Sequence, residues 1–546
     1  MTPRTWIRTS AALAIAYGIA LSGAGQKFYR DDPIWRDPET QDASSVQPVK
    51  ISQQYDFVEN TFLDAGDQAN RPAVNVNSID EVPDSSWFEN RIGREPWSVD
   101  RIVTGSDSGT GPADGPWTVT GAKSEGITPG LTIKDAKGDV YFVKFDPPSN
   151  PEMTSGAEII STKLFYALGY HTPENYIATL RPDTLVIAPD TRLADEDGKP
   201  RKMDGDDLDK LLQKAARRSD GSIRVIASKA VPGKPIGHFR YYGTRPDDPN
   251  DIYPHEHRRE LRGMSVFAAW LNHDDSRSIN SHDSLQQENG RSVVKHYLLD
   301  FGSTLGSGST QAQTTRAGNE FLWEARPTFV TMLTLGFYVR PWVKVKYPEI
   351  PSVGRIESTY FQPENWKPEY PNPAFVNARP EDRFWAARIL SNVSDDAVKA
   401  AVGTAQFSDP RATEYLVKIL LERKTKILKS WLNGTNPVAD LELDGSGRLS
   451  FRNAAERAGV AAGAERNTLT WSRFDNATRV HTPVGSEQSV STGSAQAPRE
   501  LLEGGGEFIA VSIRAFHPDQ PAWQQPLTAY FRRSDGWKLV GLERNP

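Results

Sequence analysis

The chain has no cysteine among its 546 residues. That absence excludes disulfides, thiolate metal sites, cysteine nucleophiles and lipid attachment through a cysteine. No internal repeat is present, and 39 prolines with 42 glycines indicate many turns rather than long helical repeats. No strong charge imbalance exists either: the net charge is −6 and the pI about 5.9, giving no reason to invoke nucleic acid or an anionic membrane surface. Beyond the N-terminus no run approaches transmembrane length, so no stable membrane span is expected.

The one apolar run is short. Arg4 and Arg8 precede residues 11–21 (AALAIAYGIAL), and the small residues Ser22-Gly23-Ala24 come after it. This is the layout of a secretory signal peptide over residues 1–24, cut after Ala24, with an uncleaved anchor as the alternative. The mature protein is expected to be exported, periplasmic or secreted. A chain of this length predicts two or three domains, and 37% hydrophobic with 25% charged residues suits long polar loops.

Residues 25–116 are polar, with aromatic anchors at Tyr55, Phe57, Phe62, Trp87 and Phe88, and read as an extended arm packed onto the neighbouring domain. From Trp117 the pattern turns to strands at 117–120, 131–134 and 140–145, with a tight turn at Asp135-Ala-Lys-Gly138. Between the first two strands lie Gly121, Lys123, Gly126 and Gly130. Glycines there let backbone approach phosphates and Lys123 adds charge, although an ordinary glycine-rich turn has the same composition. Lys144 ends the third strand, where a lysine can grip nucleotide phosphates or simply face solvent. Residues 151–168 predict a helix carrying Glu158, placed either to pair with Lys144 or to close a capping box with Ser155.

More strands are expected at 176–180, 184–187 and 222–228, and residues 227–233 are a candidate hinge. A helix over 254–271 delivers His273-Asp274-Asp275 and, five positions after Asp275, Asn280. Twenty positions beyond Asn280 stands Asp300-Phe301-Gly302, entered from the apolar Tyr297-Leu298-Leu299. In phosphoryl transfer one Asp orients or deprotonates the nucleophile, an Asn holds a metal, and a second Asp after a strand holds Mg²⁺ on the nucleotide. A metal cluster around His273 and the twin aspartates is the competing reading. The polar residues after Gly302 predict a flexible loop, suited to substrate or to solvent. Further helices are expected at 381–390, 394–402 and 410–431, and residues 437–546 read as a β-rich accessory domain. Its Asp440–Phe451 stretch is a hairpin turn rather than a Ca²⁺ loop, since position twelve is Phe451.

Lys144, Glu158, Asp275, Asn280 and Asp300, in that order, make the chain resemble the protein-kinase-like superfamily, closest in style to atypical bacterial members of the HipA and CotH types. The resemblance covers residues 117–431. It implies an α+β, bilobal fold, with a β-rich N-lobe and hinge over 117–233 and a helical C-lobe over 234–436. It also implies ATP with Mg²⁺ or Mn²⁺ between the lobes and phosphate transfer to a protein or small-molecule acceptor. Asp275 would be the catalytic acid, Asn280 and Asp300 the metal ligands, and Lys144, Glu158, Lys123, Gly126 and Gly130 the nucleotide-binding set. The chain has no His-Arg-Asp, no Ala-Pro-Glu, and an off-pattern glycine loop. An inactive kinase-like binding protein and a kinase-fold adenylyltransferase are the other two readings.

Overall fold

The computed structural model describes residues 25–122, 129–194, 200–335 and 337–544. The expected leader, residues 1–24, and the loop residues Lys123 and Gly126 lie outside the described residues. The fold mixes helices with several separate sheets.

The first hundred residues depart from a plain extended arm, because they carry helices α1 (Gln53–Phe62) and α2 (Val99–Thr104). Trp87 and Phe88 are buried as their apolar character requires, whereas Tyr55 and Phe62 stay exposed. Trp87 stacks on His296, ring centroids 3.5 Å apart. Phe28 packs with Phe474, Phe508 and Tyr530, far along the chain.

Strands β1 (Trp117–Ala122), β2 (Gly130–Lys134) and β3 (Val140–Phe145) form an antiparallel meander. The β2–β3 turn forms because Asp135 Oδ1 accepts the N–H groups of Lys137 and Asp139 at 2.9 Å each, while Gly138 adopts φ +88°. Helix α3 (Met153–Ala167) comes next, then β4 (Asn175–Leu180) and β5 (Leu185–Ile187). A small ribbon, β6 (Arg192–Ala194) with β7 (Pro200–Lys202), leads to α4 (Gly205–Leu212) and β8 (Ile223–Lys229). The resulting sheet has the order β4-β8-β3-β2-β1-β5. Alternation along β3 buries Tyr141, Val143 and Phe145 with Leu208 and Leu212 of α4, and sends Lys144 to the other face, toward α3.

Residues 230–233 lead into β9 (Lys234–Gly237), and helix α5 (Arg259–Leu271) comes after it. The hairpin of β10 (Ser281–Glu288) and β11 (Arg291–Leu298) pairs with β9 in a second, three-stranded sheet. Beyond α6 (Ala325–Leu333) and the short α7 (Pro373–Val376), helices α8 (Pro380–Ser391), α9 (Asp395–Gly403) and α10 (Pro410–Trp431) pack with α3 and α5 in one apolar core. Ser394 and Asp409 cap α9 and α10 through backbone N–H groups, as the sequence indicates. The remaining residues form a β-rich unit with its own core around Leu469, Trp471, Val511 and Phe531. Its Asp444 accepts the N–H groups of Ser446 and Arg448, which makes a hairpin turn and not a cation loop.

Two expectations are corrected. Helix α3 starts at Met153 with Glu152 before it at φ +67°, and Ser155 lies inside the helix with its N–H donating to Asp146 Oδ1 at 2.8 Å. No capping box joins Ser155 to Glu158. The segment after Gly302 is not a solvated loop at its start: Ser303, Thr304, Leu305 and Ser307 are buried. Hydroxyls pack inside when they are satisfied, and Thr304 Oγ1 lies 2.6 Å from Ser161 Oγ and donates to the Phe301 carbonyl at 2.7 Å. Among the described residues no helix is long and apolar enough to cross a membrane.

Candidate active site

Antiparallel register joins motifs that lie twenty residues apart. Ser281 pairs with Leu298 at the open end of the β10–β11 hairpin, and the Leu299 N–H donates to the Asn280 carbonyl at 2.8 Å. Asn280 and Asp300 therefore leave the hairpin side by side. Asp300 takes a left-handed conformation, φ +58°, that Asp tolerates better than most residues.

Lys144 meets this end from the first sheet. Its Nζ lies 2.8 Å from Glu158 Oε2 and 2.8 Å from Asp300 Oδ1. Burial works against a charged Lys144, but the carboxylates of Asp300 and Glu158 outweigh it and hold the ammonium above the ordinary lysine range. Glu158 is itself buried, and its Oε1 accepts the Phe301 N–H at 3.2 Å. Phe301 stacks on Phe165 of α3, which fixes the chain immediately after Asp300. Gly302 is required by close approach: a Cβ there would stand 2.9 Å from Thr154 Cγ2 and 3.0 Å from Glu158 Oε2. Gly130 faces Lys144 across the β2–β3 ladder, and a Cβ on it would come 2.4 Å from the Val143 carbonyl oxygen. The glycine-rich loop thus ends beside the strand lysine.

On the other side stands Asp275. Its carbonyl accepts the Asn280 side-chain amide at 2.8 Å, its Oδ2 accepts Ser303 Oγ at 3.2 Å, and its carboxylate pairs with Arg277. Arg277 in turn holds Glu369 at 2.7 Å. Burial pushes the Asp275 carboxyl up to about 6; Arg277 pulls it down, while Glu369 and Asp300 add to the rise. Asp274 is employed differently. It is buried, accepts Gln313 Nε2 at 3.0 Å, and receives the Glu369 N–H on its carbonyl at 2.7 Å. Burial raises its carboxyl well above the usual range, with the charge of Asp275 adding to the effect.

A further layer escaped sequence reasoning. Buried Asp56, on α1, accepts Ser278 Oγ at 2.8 Å and the Tyr370 hydroxyl at 2.5 Å, so the N-terminal segment holds the loop between Asp275 and Asn280. Arg277 lies inside the Asp275–Asn280 motif, whereas Glu369, Tyr370 and Asp56 carry no local signal in the sequence.

The metal-cluster reading is not supported, since no group of three or more His, Cys, Asp or Glu side chains is placed to hold a metal among the described residues. His273 is buried between Phe165 and Phe301, and burial lowers it to about 4. A nucleotide-bound divalent cation needs less from the protein: Mg²⁺ takes one or two side-chain oxygens and completes its shell with phosphates and water. Asn280 and Asp300 fit that requirement, because the Asn280 amide is already spent on Asp275 and its carbonyl oxygen remains to serve as a ligand. Lys144, Glu158, Gly130, Asp275, Asn280 and Asp300 are thus brought to one place. The chain matches no family model, no curated protein and no solved structure.

Proposed function

We propose that the chain is a kinase-like phosphotransferase that moves phosphate from ATP, with Mg²⁺ or Mn²⁺, to a hydroxyl-bearing protein or small-molecule acceptor, and that it works outside the cytoplasm. The observation that carries this reading is Lys144 bridging Glu158 and Asp300 at 2.8 Å each, beside the Asp275–Asn280 loop. A lysine on the third strand, a glutamate on the next helix and an Asp-Phe-Gly aspartate are the parts that a kinase-like, bilobal arrangement assembles around nucleotide phosphates. The sheet order β4-β8-β3-β2-β1, with α3 leaving β3, supports that arrangement.

In this reading Lys144 is the cation for the phosphates, and Glu158 keeps it extended across the cleft. Asn280 and Asp300 are the oxygens that would hold the divalent cation, whose chemistry when bound is to neutralise phosphate charge. Asp275 accepts a hydrogen bond from the acceptor hydroxyl and takes up its proton as the new phosphorus–oxygen bond forms, while the bond from the γ-phosphorus to the bridging oxygen breaks and ADP leaves with its electron pair. A carboxyl pushed up to about 6 is better suited to accept that proton near neutral pH than one at the ordinary value. Arg277 keeps the carboxylate oriented.

The test follows α- and γ-labelled ATP into acceptors, with a thermal-shift titration of ATP with and without Mg²⁺ or Mn²⁺. Transfer of γ-label supports the proposal. Transfer of α-label makes the protein an adenylyltransferase, and binding without transfer of either makes it a nucleotide-binding protein.

A further inference from the structure

Residues 325–335 and 337–346 present an unusual surface. Helix α6 buries none of its residues. Phe329, Met332, Leu333, Leu335, Phe337 and Val339 are all exposed, Leu335 and Phe337 to 84% and 86%. Exposed large apolar side chains gathered in one segment mark a candidate interaction site, and the charge of that segment says for what. Between residues 325 and 347 the chain carries Arg326, Arg340, Lys344 and Lys346 and not one Asp or Glu, although the whole protein is at −6. Arg340 is tied to Glu320 at the base of the segment. Arg326, Lys344 and Lys346 are exposed and make no ion pair among the described residues. Tyr338 and Trp342 add side chains with an apolar body and a polar tip, the type that collects at membrane–water boundaries.

A second copy of the chain fits this face poorly. A two-fold contact would set the same cations against one another with no acid in the patch to answer them. An anionic lipid surface answers both properties at once, taking apolar side chains below the headgroups and cations onto the phosphates.

We propose that residues 325–346, leaving Gly336 aside, dock the protein on an anionic lipid surface. Phe329, Leu333, Leu335 and Phe337 enter the interfacial layer, and Arg326, Lys344 and Lys346 meet the headgroups. The segment lies on the membrane and does not cross it. This holds whether or not the chain transfers phosphate.

The experiment is co-sedimentation of the full chain with vesicles of phosphatidylcholine alone and of phosphatidylcholine with phosphatidylglycerol, at low and high salt. Binding is expected on the anionic vesicles and should weaken as salt rises. The triple variant Phe329→Ser, Leu333→Ser, Phe337→Ser should lower it by about tenfold or more. Lys344→Glu with Lys346→Glu should lower it on the order of tenfold. Both should melt like the parent, because these side chains lie outside the core. Any binding through residues 11–21 is common to all variants, so the differences report this face alone. No binding to anionic vesicles, loss in neither variant, or a loss as large on neutral vesicles as on anionic ones overturns the proposal. A concentration-dependent dimer that the triple variant dissociates, without vesicle binding, assigns the face to a second copy instead.

Discussion

The side-chain amide of Asn280 donates to the main-chain carbonyl of Asp275 across 2.8 Å, so acid and amide are held as one unit. Asp274, one residue earlier, belongs to a different set of contacts, with Gln313 and Glu369. Asp275→Asn should therefore bind nucleotide nearly as the parent does and lose turnover by about 10²–10⁴-fold, the usual size of general-base assistance. Asp274→Asn should keep most activity, because its buried carboxyl is replaced by an amide of the same shape. Turnover of γ-labelled ATP, alongside thermal shift with nucleotide, checks the pair. An active Asp275→Asn beside a dead Asp274→Asn would reverse the assignment.

Lys144→Met should remove the stabilisation that nucleotide confers, which for the parent is about 2.7 kcal/mol at roughly 100 times Kd. Glu158→Gln discriminates more finely. Glutamine can still accept the Phe301 N–H, so the fold should persist, while Lys144 loses one of its two anions and nucleotide affinity falls. Unchanged binding and turnover in Glu158→Gln would leave this residue with a structural role only.

Gly302→Ala introduces a methyl group where Thr154 Cγ2 and Glu158 Oε2 already stand within 3.0 Å. The cost should be about 1–3 kcal/mol of stability by overpacking, and Asp300 should shift with its neighbour. Chemical denaturation together with Mg²⁺-dependent nucleotide binding measures both effects; a variant as stable and as tight-binding as the parent would contradict the packing.

Acid stability is set in part by Asp251, which receives His255 Nε2 at 2.7 Å, the Arg245 N–H at 2.6 Å and Arg258 Nη2 at 3.2 Å. Burial works to raise its carboxyl, but His255 and Arg258 outweigh it and hold it well below the usual range. Its folded pKa is depressed, so its contribution is complete above the ordinary Asp value of about 3.9 and is lost as pH falls toward the folded value. Asp251→Asn should be less stable than the parent at pH 7, with the gap closing as pH drops below about 4. Denaturation midpoints from pH 7 to 3 provide the comparison; a constant gap would exclude the linkage.

Sequence reasoning reached what local pattern encodes. Strands β1 to β3 and helices α3, α5 and α10 were legible because periodicity carries them, and Lys144, Asp275, Asn280 and Asp300, singled out by residue type and order, are side chains that the fold brings to one place. The β10–β11 hairpin was not, since Ser-His-Asp-Ser-Leu-Gln-Gln-Glu shows little apolar alternation and gains its burial from β9 and the first hundred residues. Glu158 had two local explanations, which the start of α3 at Met153 and the contact with Lys144 separate. Asp56, Glu369 and Tyr370 reach the site through tertiary contacts that leave no trace in spacing. Net charge does not register local distribution: −6 over the whole chain coexists with an acid-free cationic stretch at residues 325–347.

The placement of Phe28 bears on the order of events during synthesis. Its N–H finds Asn476 Oδ1 448 positions later, and Lys27 finds Glu543 516 positions later. Lys27 and Phe28 thus acquire these neighbours only after residues 476 and 543 have been synthesised. Ends so far apart in sequence make slow, non-local closures. A nascent chain halted anywhere before residue 474 leaves Phe28 without its aromatic partners, so this packing reports that the β-rich unit has been made.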